Sequence, residues 1–222
     1  MGSQSPVLTA WPIPFEPVTL HGVLVRLDPL VPTLSPTVAD EIVAAADDAA
    51  IWEFVAYDGR TASAVRAHLA SLVALWAAGA LLPFVMRAPT GRVLGVTRLK
   101  DAVRADRRLT IGTWLVRDAW GTGVNAEAKG LLLAHAFDTL RAMRVEFNSD
   151  ARNARSHAAL EGIGAVREGL LRAHKLLPDG TRRDSVLFSV IDTDWPAVRA
   201  RIAQRIARQT RGPAIAPERT RS

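Results

Sequence analysis

A glycine-containing loop stands directly before a helix-favouring stretch, and it is the part of the chain best suited to chemistry. The loop consists of six residues, Trp120, Gly121, Thr122, Gly123, Val124 and Asn125. Backbone N–H groups at a helix start have no intrahelical partner, and the helix dipole adds positive potential, so such a loop can bind an anion. Glycine lets the backbone bend sharply and approach a ligand closely. These six residues are therefore predicted to contact a phosphate-bearing cofactor.

A second polar turn lies further along the chain, at the start of another predicted helix (153–163). Asn153 suits the N-cap of that helix, and Ser156 falls in its first turn, where a hydroxyl can simply face solvent. The glycine loop upstream favours the alternative, in which both side chains help to hold the same cofactor.

The order of the predicted elements narrows the fold class. An alternating apolar pattern at 18–30 predicts a strand with a bulge or tight turn at Gly22, and two helices capped by Ser35 and Thr61 follow. The remaining predicted elements are a hairpin (82–99), a strand (109–116), the helix after the loop, a strand (145–149), the helix at 153–163, a second hairpin (166–191) and a final helix (194–208). Doubly wound nucleotide-binding folds alternate strand and helix throughout, whereas this order does not. We therefore expect an α/β (α+β) fold with a mixed, mostly antiparallel sheet flanked by helices.

Composition limits the classes of protein that fit. The 222 residues, 49% of them hydrophobic, suffice for one domain, which we predict at 18–208 between an extended arm (1–17) and a basic, disordered tail (209–222). No apolar run approaches the length of a membrane span, and the first residues lack the pattern of a signal peptide, so a cytoplasmic protein is expected. The absence of cysteine excludes disulfides and a cysteine nucleophile.

The net charge of +6 is confined to the C-terminal end. Residues 199–222 contain seven arginines and one glutamate, and the rest of the chain is balanced. The body of the protein therefore lacks the charge signature of a nucleic-acid-binding surface. Only the tail could bind RNA, weakly, and a solvated helix end is the simpler interpretation.

Three interpretations of the loop compete on its residues alone. The first is an ordinary turn. The second is a dinucleotide-binding fingerprint, because Gly121, Gly123 and Ala126 fit its spacing and Glu146 stands where a ribose-binding acid belongs. Two observations weigh against this second interpretation. The connection between the strand and Gly121 is longer than in the fingerprint, and the flanking hairpins are antiparallel. A P-loop is excluded because no Gly-Lys-Ser/Thr follows. The third interpretation is a cradle for the diphosphate of coenzyme A.

The third interpretation agrees with a family resemblance. The stretch WLVRDAWGTGVNAEAKGLLLAHAFDTL, followed by RVEFNSDARNARSHAALEGIGAVREGLLRAHKLLPDGTRRDSVLFSV, resembles the GNAT family of acyl-CoA N-acyltransferases. It is most similar to the RimJ/RimL-type branch, which acetylates the N-terminal amines of ribosomal proteins. The resemblance covers residues 18–208. In the family's loop pattern, Gln/Arg-x-x-Gly-x-Gly/Ala, this chain has Trp120, Gly123 and Asn125 at the defining positions, and the first and last depart from the pattern.

The resemblance implies a role for each residue of the site. The loop amides would bind the diphosphate of acetyl-CoA. Two parallel strands would splay apart, with the pantetheine arm of the cofactor pairing with the backbone of Leu115 and Val116. Asn153 would reach the arm, and Ser156 would lie near the sulfur, where it can give a proton to the leaving thiolate.

The resemblance also reveals a gap in the catalytic set. Many relatives carry a glutamate base in the strand before the loop, where this chain has Thr110, which cannot serve as that base. Glu53 and Asp58 are the best substitutes, since their connection (51–60) commonly lines the acceptor groove in this fold. Asp150 is more simply a turn cap. The five histidines lack metal-ligand spacing, so no metal is expected.

These observations together predict an N-acetyltransferase that moves an acetyl group from acetyl-CoA to a primary amine by direct attack. The expected acceptor is a protein or peptide N-terminus; a ribosomal protein or a small amine would both fit, and a longer acyl donor stays open. The alternatives are a non-catalytic acyl-CoA-binding protein and, less favoured, a dinucleotide-dependent oxidoreductase. A homodimer is common among similar proteins, although the sequence itself does not report the oligomeric state.

Overall fold

The computed structural model describes residues 16–32 and 34–210. Its strands are β1 (Leu20–His21), β2 (Arg26–Pro29), β3 (Leu81–Arg87), β4 (Val93–Val103), β5 (Arg108–Leu115), β6 (Arg144–Asp150), β7 (Val166–Leu176) and β8 (Arg182–Ile191). They form one sheet in the order β1-β2-β3-β4-β5-β6-β8-β7. All neighbouring pairs are antiparallel except β5 and β6, which are parallel. The predicted mixed, mostly antiparallel sheet is confirmed.

Helices flank this sheet. They are α1 (Pro36–Ala45), α2 (Ala49–Trp52), α3 (Ala62–Ala77), α4 (Val124–Ala134), α5 (Ala154–Ile163) and α6 (Trp195–Thr210), and a π-helical turn (His135–Thr139) continues α4. The predicted caps are confirmed, because Ser35 accepts from the Val38 N–H (3.2 Å) and Thr61 accepts from the Ala64 N–H (3.1 Å). The sequence pattern predicts that the helix after Ser35 runs to about Ala50, whereas α1 ends at Ala45 and α2 occupies the last part of that range.

The first predicted strand is divided into two, and a buried carboxylate explains the division. The side chain of Glu127 accepts three hydrogen bonds from consecutive backbone N–H groups, those of Val23, Leu24 and Val25 (2.8, 2.6 and 2.8 Å). A Cβ at Gly22 would lie 2.5 Å from the Glu127 carboxyl carbon, so this position accepts only glycine without a shift. The turn between β1 and β2 is thereby tied to α4, close behind the glycine loop.

Some predictions concern residues outside the ranges that the structure describes. The predicted arm (1–17) and tail (209–222) fall almost wholly there, so these boundaries stay predictions. Within the described part of the chain, no helix combines the length and the apolar character needed to cross a membrane. The cytoplasmic location also stays a prediction from the sequence.

Candidate active site

A wedge opens in the sheet where β5 and β6 separate. Their parallel register joins only three residue pairs, Arg108 with Arg144, Leu109 with Val145 and Thr110 with Glu146. Beyond this fork, β5 pairs only with β4 and β6 pairs only with β8. The unpaired strand edges border a cavity of about 440 Å³, which also reaches the glycine loop and α5. The splayed strands expected from the resemblance are therefore present.

Backbone pairing decides which groups of β5 face the wedge. The Val116 N–H donates to the Leu94 carbonyl (2.8 Å), and the Val116 carbonyl accepts from the Ala119 N–H (3.2 Å). Because backbone groups alternate along an antiparallel strand, Leu115 directs its own N–H and carbonyl away from β4. The Trp120 indole already donates to that carbonyl (3.0 Å). The structure therefore corrects the expectation for Val116, whose backbone is already bonded, and leaves the Leu115 N–H to face the wedge.

The glycine loop has the backbone geometry that the sequence predicted. Gly121 and Gly123 have φ angles of 80° and 90°, in the left-handed region that favours glycine. A Cβ at Gly123 would lie 3.0 Å from Gln209 and 3.1 Å from Leu24. No described residue accepts a hydrogen bond from the backbone N–H groups of residues 121–126. These amides stand unpaired at the open end of the wedge, where an anion can bind them.

Trp120 connects the loop to both sides of the cavity. The Trp120 indole donates to the Leu115 carbonyl, and the Arg155 guanidinium lies over the Trp120 ring, with its Cζ 3.3 Å from the ring centroid. This cation–π contact holds a positive charge from α5 over the loop. The tryptophan in place of the family's Gln/Arg therefore has a structural role of its own at the cavity wall.

Asn125 and Lys129 form a pair one helical turn apart on α4. The Lys129 ammonium donates to the Asn125 side-chain oxygen, and both residues line the cavity. Lys129 is only 7% exposed. Burial lowers the pKa of Lys129 to about 8, and no carboxylate offsets this effect. Asn125, which stands where the family pattern has a small residue, thus accepts a hydrogen bond from a buried cation beside the glycine loop.

The second polar turn lies against the same cavity. Asn153 caps α5 by accepting from the Ser156 N–H (3.0 Å), and both side chains line the cavity. Asp150 accepts from the backbone and guanidinium of Arg152 (2.9 and 2.8 Å), as its predicted turn-capping role requires. Burial alone would raise the pKa of Asp150, but the hydrogen bonds from Arg152 outweigh it and the pKa is lowered. Asp150 is therefore an ion-paired carboxylate.

The structure does not bring the expected substitute bases into the cavity. Glu53 and Asp58 are exposed, and neither lines the cavity. Asp58 instead accepts from the Arg60 N–H (3.0 Å). Thr110 is buried at the fork and does line the cavity. Glu53 is exposed and lies outside the cavity lining, so its role as a catalytic residue stays a prediction from the sequence.

Aromatic residues of that same connection form a wall of the cavity. The Tyr57 ring stacks on His68 with centroids 3.7 Å apart, and the Arg98 guanidinium lies 5.6 Å from the Tyr57 centroid. Burial raises the pKa of Tyr57 to about 12 and lowers that of His68 to about 4, so both are neutral at pH 7. Arg98 was not singled out from the sequence, because nothing in the strand pattern shows that it faces the fork.

The predicted cofactor-binding residues divide into two groups. Those lining the cavity are Leu115, Trp120, Gly121, Gly123, Asn125, Asn153 and Ser156. Thr122, Val124 and Val116 do not line it: the Thr122 hydroxyl donates to the Ala119 carbonyl (2.8 Å), and the two valines are buried in the core. Within residues 16–32 and 34–210, no three His, Asp or Glu side chains converge as a metal site would require.

A mixed sheet whose single parallel pair splays beside a glycine loop is the architecture of the acyl-CoA N-acyltransferase fold. Residues 29–166 match the family model described as an acetyltransferase (GNAT) domain. The chain belongs to the GNAT acetyltransferase family.

Several known proteins are similar to this chain. A "putative acetyltransferase" from T. thermophilus is 36% identical, with a TM-score of 0.77 over 86% of this chain and 98% of that one. Mycobacterium smegmatis RimJ in complex with CoA-disulfide shares the fold, with 24% identity and a TM-score of 0.73 over 85% and 95% of the two chains. The "Putative ribosomal N-acetyltransferase YdaF" of Bacillus subtilis (strain 168) is 30% identical over 105 residues, 47% of this chain. The chain spans 57% of that curated relative and 59% of a second one, from Bacillus licheniformis.

Proposed function

We propose that this protein transfers an acetyl group from acetyl-CoA to a primary amine, in the first place the N-terminus of a protein or peptide. One observation carries the proposal: the unpaired amides of residues 121–126 stand at the open end of the β5–β6 wedge. Such amides suit a diphosphate, and the unpaired strand edges suit an amide-containing arm. The RimJ structure that shares this fold contains CoA-disulfide, which supports the choice of cofactor.

The proposed roles follow from the wedge. Residues 121–126 and Lys129 would hold the diphosphate, and the Leu115 N–H would bind the pantetheine arm or polarise the thioester carbonyl. The side chains of Thr122, Val124 and Val116 would position the loop and strand, while the backbone N–H groups of Thr122 and Val124 would bind the diphosphate with the rest of the loop.

The chemistry needs few side chains. A neutral amine forms the N–C bond to the acetyl carbon, the C–S bond breaks, and the amine loses its extra proton to water. Ser156 would protonate the leaving thiolate and recover a proton from solvent. Positioning and carbonyl polarisation would supply most of the rate, in agreement with the absence of a carboxylate base at Thr110.

The acceptor assignment rests on the relatives. The name of the Bacillus subtilis relative refers to the ribosome, which supports a ribosomal protein N-terminus; a small amine is the second candidate. A homodimer and weak RNA contact through the basic tail remain proposals from the sequence. We assign the cytoplasm as the location on the same grounds.

The test is a titration followed by a turnover assay. Full-length protein is titrated separately with acetyl-CoA and with NAD, and thiol release is then followed with a panel of peptides and small amines. Binding of acetyl-CoA together with amine-dependent thiol release is expected. Binding without turnover would identify a non-catalytic CoA-binding protein, and preference for NAD would identify an oxidoreductase.

A further inference from the structure

Four cationic side chains line the cavity from strands on both sides of the wedge. They are Arg98 and Lys100 on β4, Lys175 on β7 and Arg183 on β8, and all four line the cavity. We call them the fork cluster. In the register of β4 and β5, Arg98 pairs with Gly112 and Lys100 pairs with Thr110, the last residue before the fork opens. The charges of Arg98 and Lys100 therefore act on whatever occupies the wedge near the fork.

The fork cluster is separate from the diphosphate cradle. Along β5, at about 3.4 Å per residue, Gly112 (the partner of Arg98) lies about 10 Å from Leu115 and Thr110 (the partner of Lys100) about 17 Å, and the loop follows beyond Leu115. The cations near the loop are a different set, Lys129, Arg155 and Arg205. A diphosphate bound by the loop would therefore not neutralise the charges of the fork cluster.

Few carboxylates balance the fork cluster. Asp150 is the acidic residue among those lining the cavity; its carboxylate is 2.8 Å from Arg152 and 3.9 Å from Arg183. Lys100 is paired with Asp101 at the rim. Among the described residues, no carboxylate forms an ion pair with Arg98 or Lys175. The fork cluster therefore carries excess positive charge.

The two arginines are held in place by neutral groups. Arg183 is 8% exposed and donates to Ser185 Oγ (3.2 Å) and to the carbonyls of Phe54 (3.2 Å) and Asn148 (3.4 Å). Arg98 lies beside the Tyr57 ring and packs on the backbone of β5. A Cβ at Gly112 would come within 3.3 Å of the Arg98 Cζ, so glycine makes room for this guanidinium. A fixed guanidinium without an anion is suited to bind one from a ligand.

Two of the residues that line the cavity each have a buried polar side-chain atom without a hydrogen-bond partner among the described residues. These atoms are the Tyr57 hydroxyl and the Asn148 side-chain oxygen, both shielded from water. A hydroxyl can donate to an anion, and an amide oxygen can accept from an amine N–H. Buried polar atoms are normally hydrogen-bonded, so a bound molecule with both kinds of group would complete the site.

We propose that the fork cluster is an acceptor subsite for a carboxylate or phosphate group, so that the protein acetylates amines bearing an anionic group a few bonds from the nitrogen. Arg98 binds that group, with Tyr57 donating to it, while Asn148 accepts from the amine. This deepens the proposed function and rests on it. Polycationic acceptors such as polyamines and aminoglycosides are disfavoured by repulsion at the same cluster.

The test compares matched acceptors with full-length protein and acetyl-CoA. A short amidated peptide with glutamate in second position is compared with its glutamine counterpart, with free glutamate, with a phosphate-bearing amine and with spermidine. We expect kcat/KM for the glutamate peptide to exceed that for the glutamine peptide by roughly tenfold or more, as one charge-assisted hydrogen bond allows. Comparison of free glutamate, the peptide and the phosphate-bearing amine shows which source of the anion the site accepts. Equal rates for the two peptides, or a preference for spermidine, would overturn the proposal.

Two variants separate the subsite from general effects of charge. Arg98→Gln should reduce the glutamate-to-glutamine ratio to about one, while Arg98→Lys should retain part of it. Arg66→Gln is the matched control, because Arg66 is an exposed residue of α3 paired with Asp40 and does not line the cavity. It should retain the full ratio. An unchanged ratio in Arg98→Gln would count against the assignment of Arg98.

Binding measurements keep this proposal distinct from the proposed function. If CoA binds but no amine is acetylated, the proposed transferase function is refuted. The affinities of the glutamate and glutamine peptides for the protein–CoA complex then still show whether the site prefers an anionic group. Tighter binding of the glutamate peptide, weakened by added salt, supports the subsite. Equal affinity refutes it.

Discussion

Replacing Lys129 with methionine should make the free protein more stable at neutral pH. The ammonium is buried without a carboxylate partner, and burial lowers its pKa from 10.5 to about 8. At about 1.36 kcal/mol per pKa unit, keeping this charge in the folded protein costs roughly 3 kcal/mol. Methionine has a similar length and no charge, so Lys129→Met should raise the free energy of unfolding by up to about that amount.

The effect of Lys129→Met on stability should depend on pH. Because the folded-state pKa lies below the unfolded-state pKa, the unfolded chain binds more protons between pH 8 and pH 10.5. The penalty is therefore fully present below pH 8 and is lost as the pH rises towards 10.5. Urea unfolding of the CoA-free protein at pH 7 and pH 10 should show a large difference between Lys129→Met and the native protein at pH 7 and a small one at pH 10.

The same substitution should weaken CoA binding, because a bound diphosphate supplies the anion that the buried lysine lacks. Calorimetry at pH 8.5 in buffers of different ionisation enthalpy should detect proton uptake on CoA binding in the native protein and less in Lys129→Met. Lys175→Met is the control, since that side chain is exposed and its loss should change stability little at either pH. Equal stability differences at pH 7 and pH 10, or a variant less stable than the native protein at pH 7, would refute the reasoning.

Three further substitutions test other parts of the site. Gly123→Val should weaken CoA binding by roughly 100-fold or more, measured by calorimetry, because a branched side chain is strained at φ 90° and meets neighbours at 3.0 and 3.1 Å. Ser156→Ala should lower kcat for acetyl transfer by about 10- to 100-fold with KM for acetyl-CoA nearly unchanged, if the hydroxyl protonates the thiolate. Glu127→Ala should lower the free energy of unfolding by about 3 kcal/mol or more, measured in urea, because three backbone N–H groups lose a buried, charged acceptor.

Matched controls separate these effects from general damage. Gly180→Val introduces the same side chain at a φ of 80° outside the cavity and should leave CoA affinity intact. Ser63→Ala removes an exposed hydroxyl of α3 and should leave kcat unchanged. CoA affinity unchanged in Gly123→Val, kcat unchanged in Ser156→Ala or stability unchanged in Glu127→Ala would each contradict the role assigned to that residue.

The parts of the site that local sequence determines could be predicted. The glycines allow a left-handed backbone that few other residues adopt, and a helix cap is set by residues three apart, so the sharp bend at Gly121 and Gly123 and the cap at Asn153 were predicted correctly. Element order also followed from short-range periodicity. The exposed position of Glu53 could not be predicted, because residue type does not show towards which side a connection turns its side chains.

Other features depend on contacts between distant parts of the chain. Glu127 accepts from amides 102 to 104 positions earlier, and Arg183 donates to the Phe54 carbonyl 129 positions earlier. Nothing near either residue in sequence indicates its partner. The fork cluster likewise gathers residues from β4, β7 and β8, which are distant in sequence and line the same cavity.

Hydrogen–deuterium exchange of the loop amides tests the central claim most directly. Saturating CoA should slow exchange across residues 121–126, while pantetheine, which lacks the diphosphate, should leave these amides as they are in the free protein. Unchanged exchange at these positions in a protein shown to bind CoA would contradict the account, because the diphosphate would then be held elsewhere.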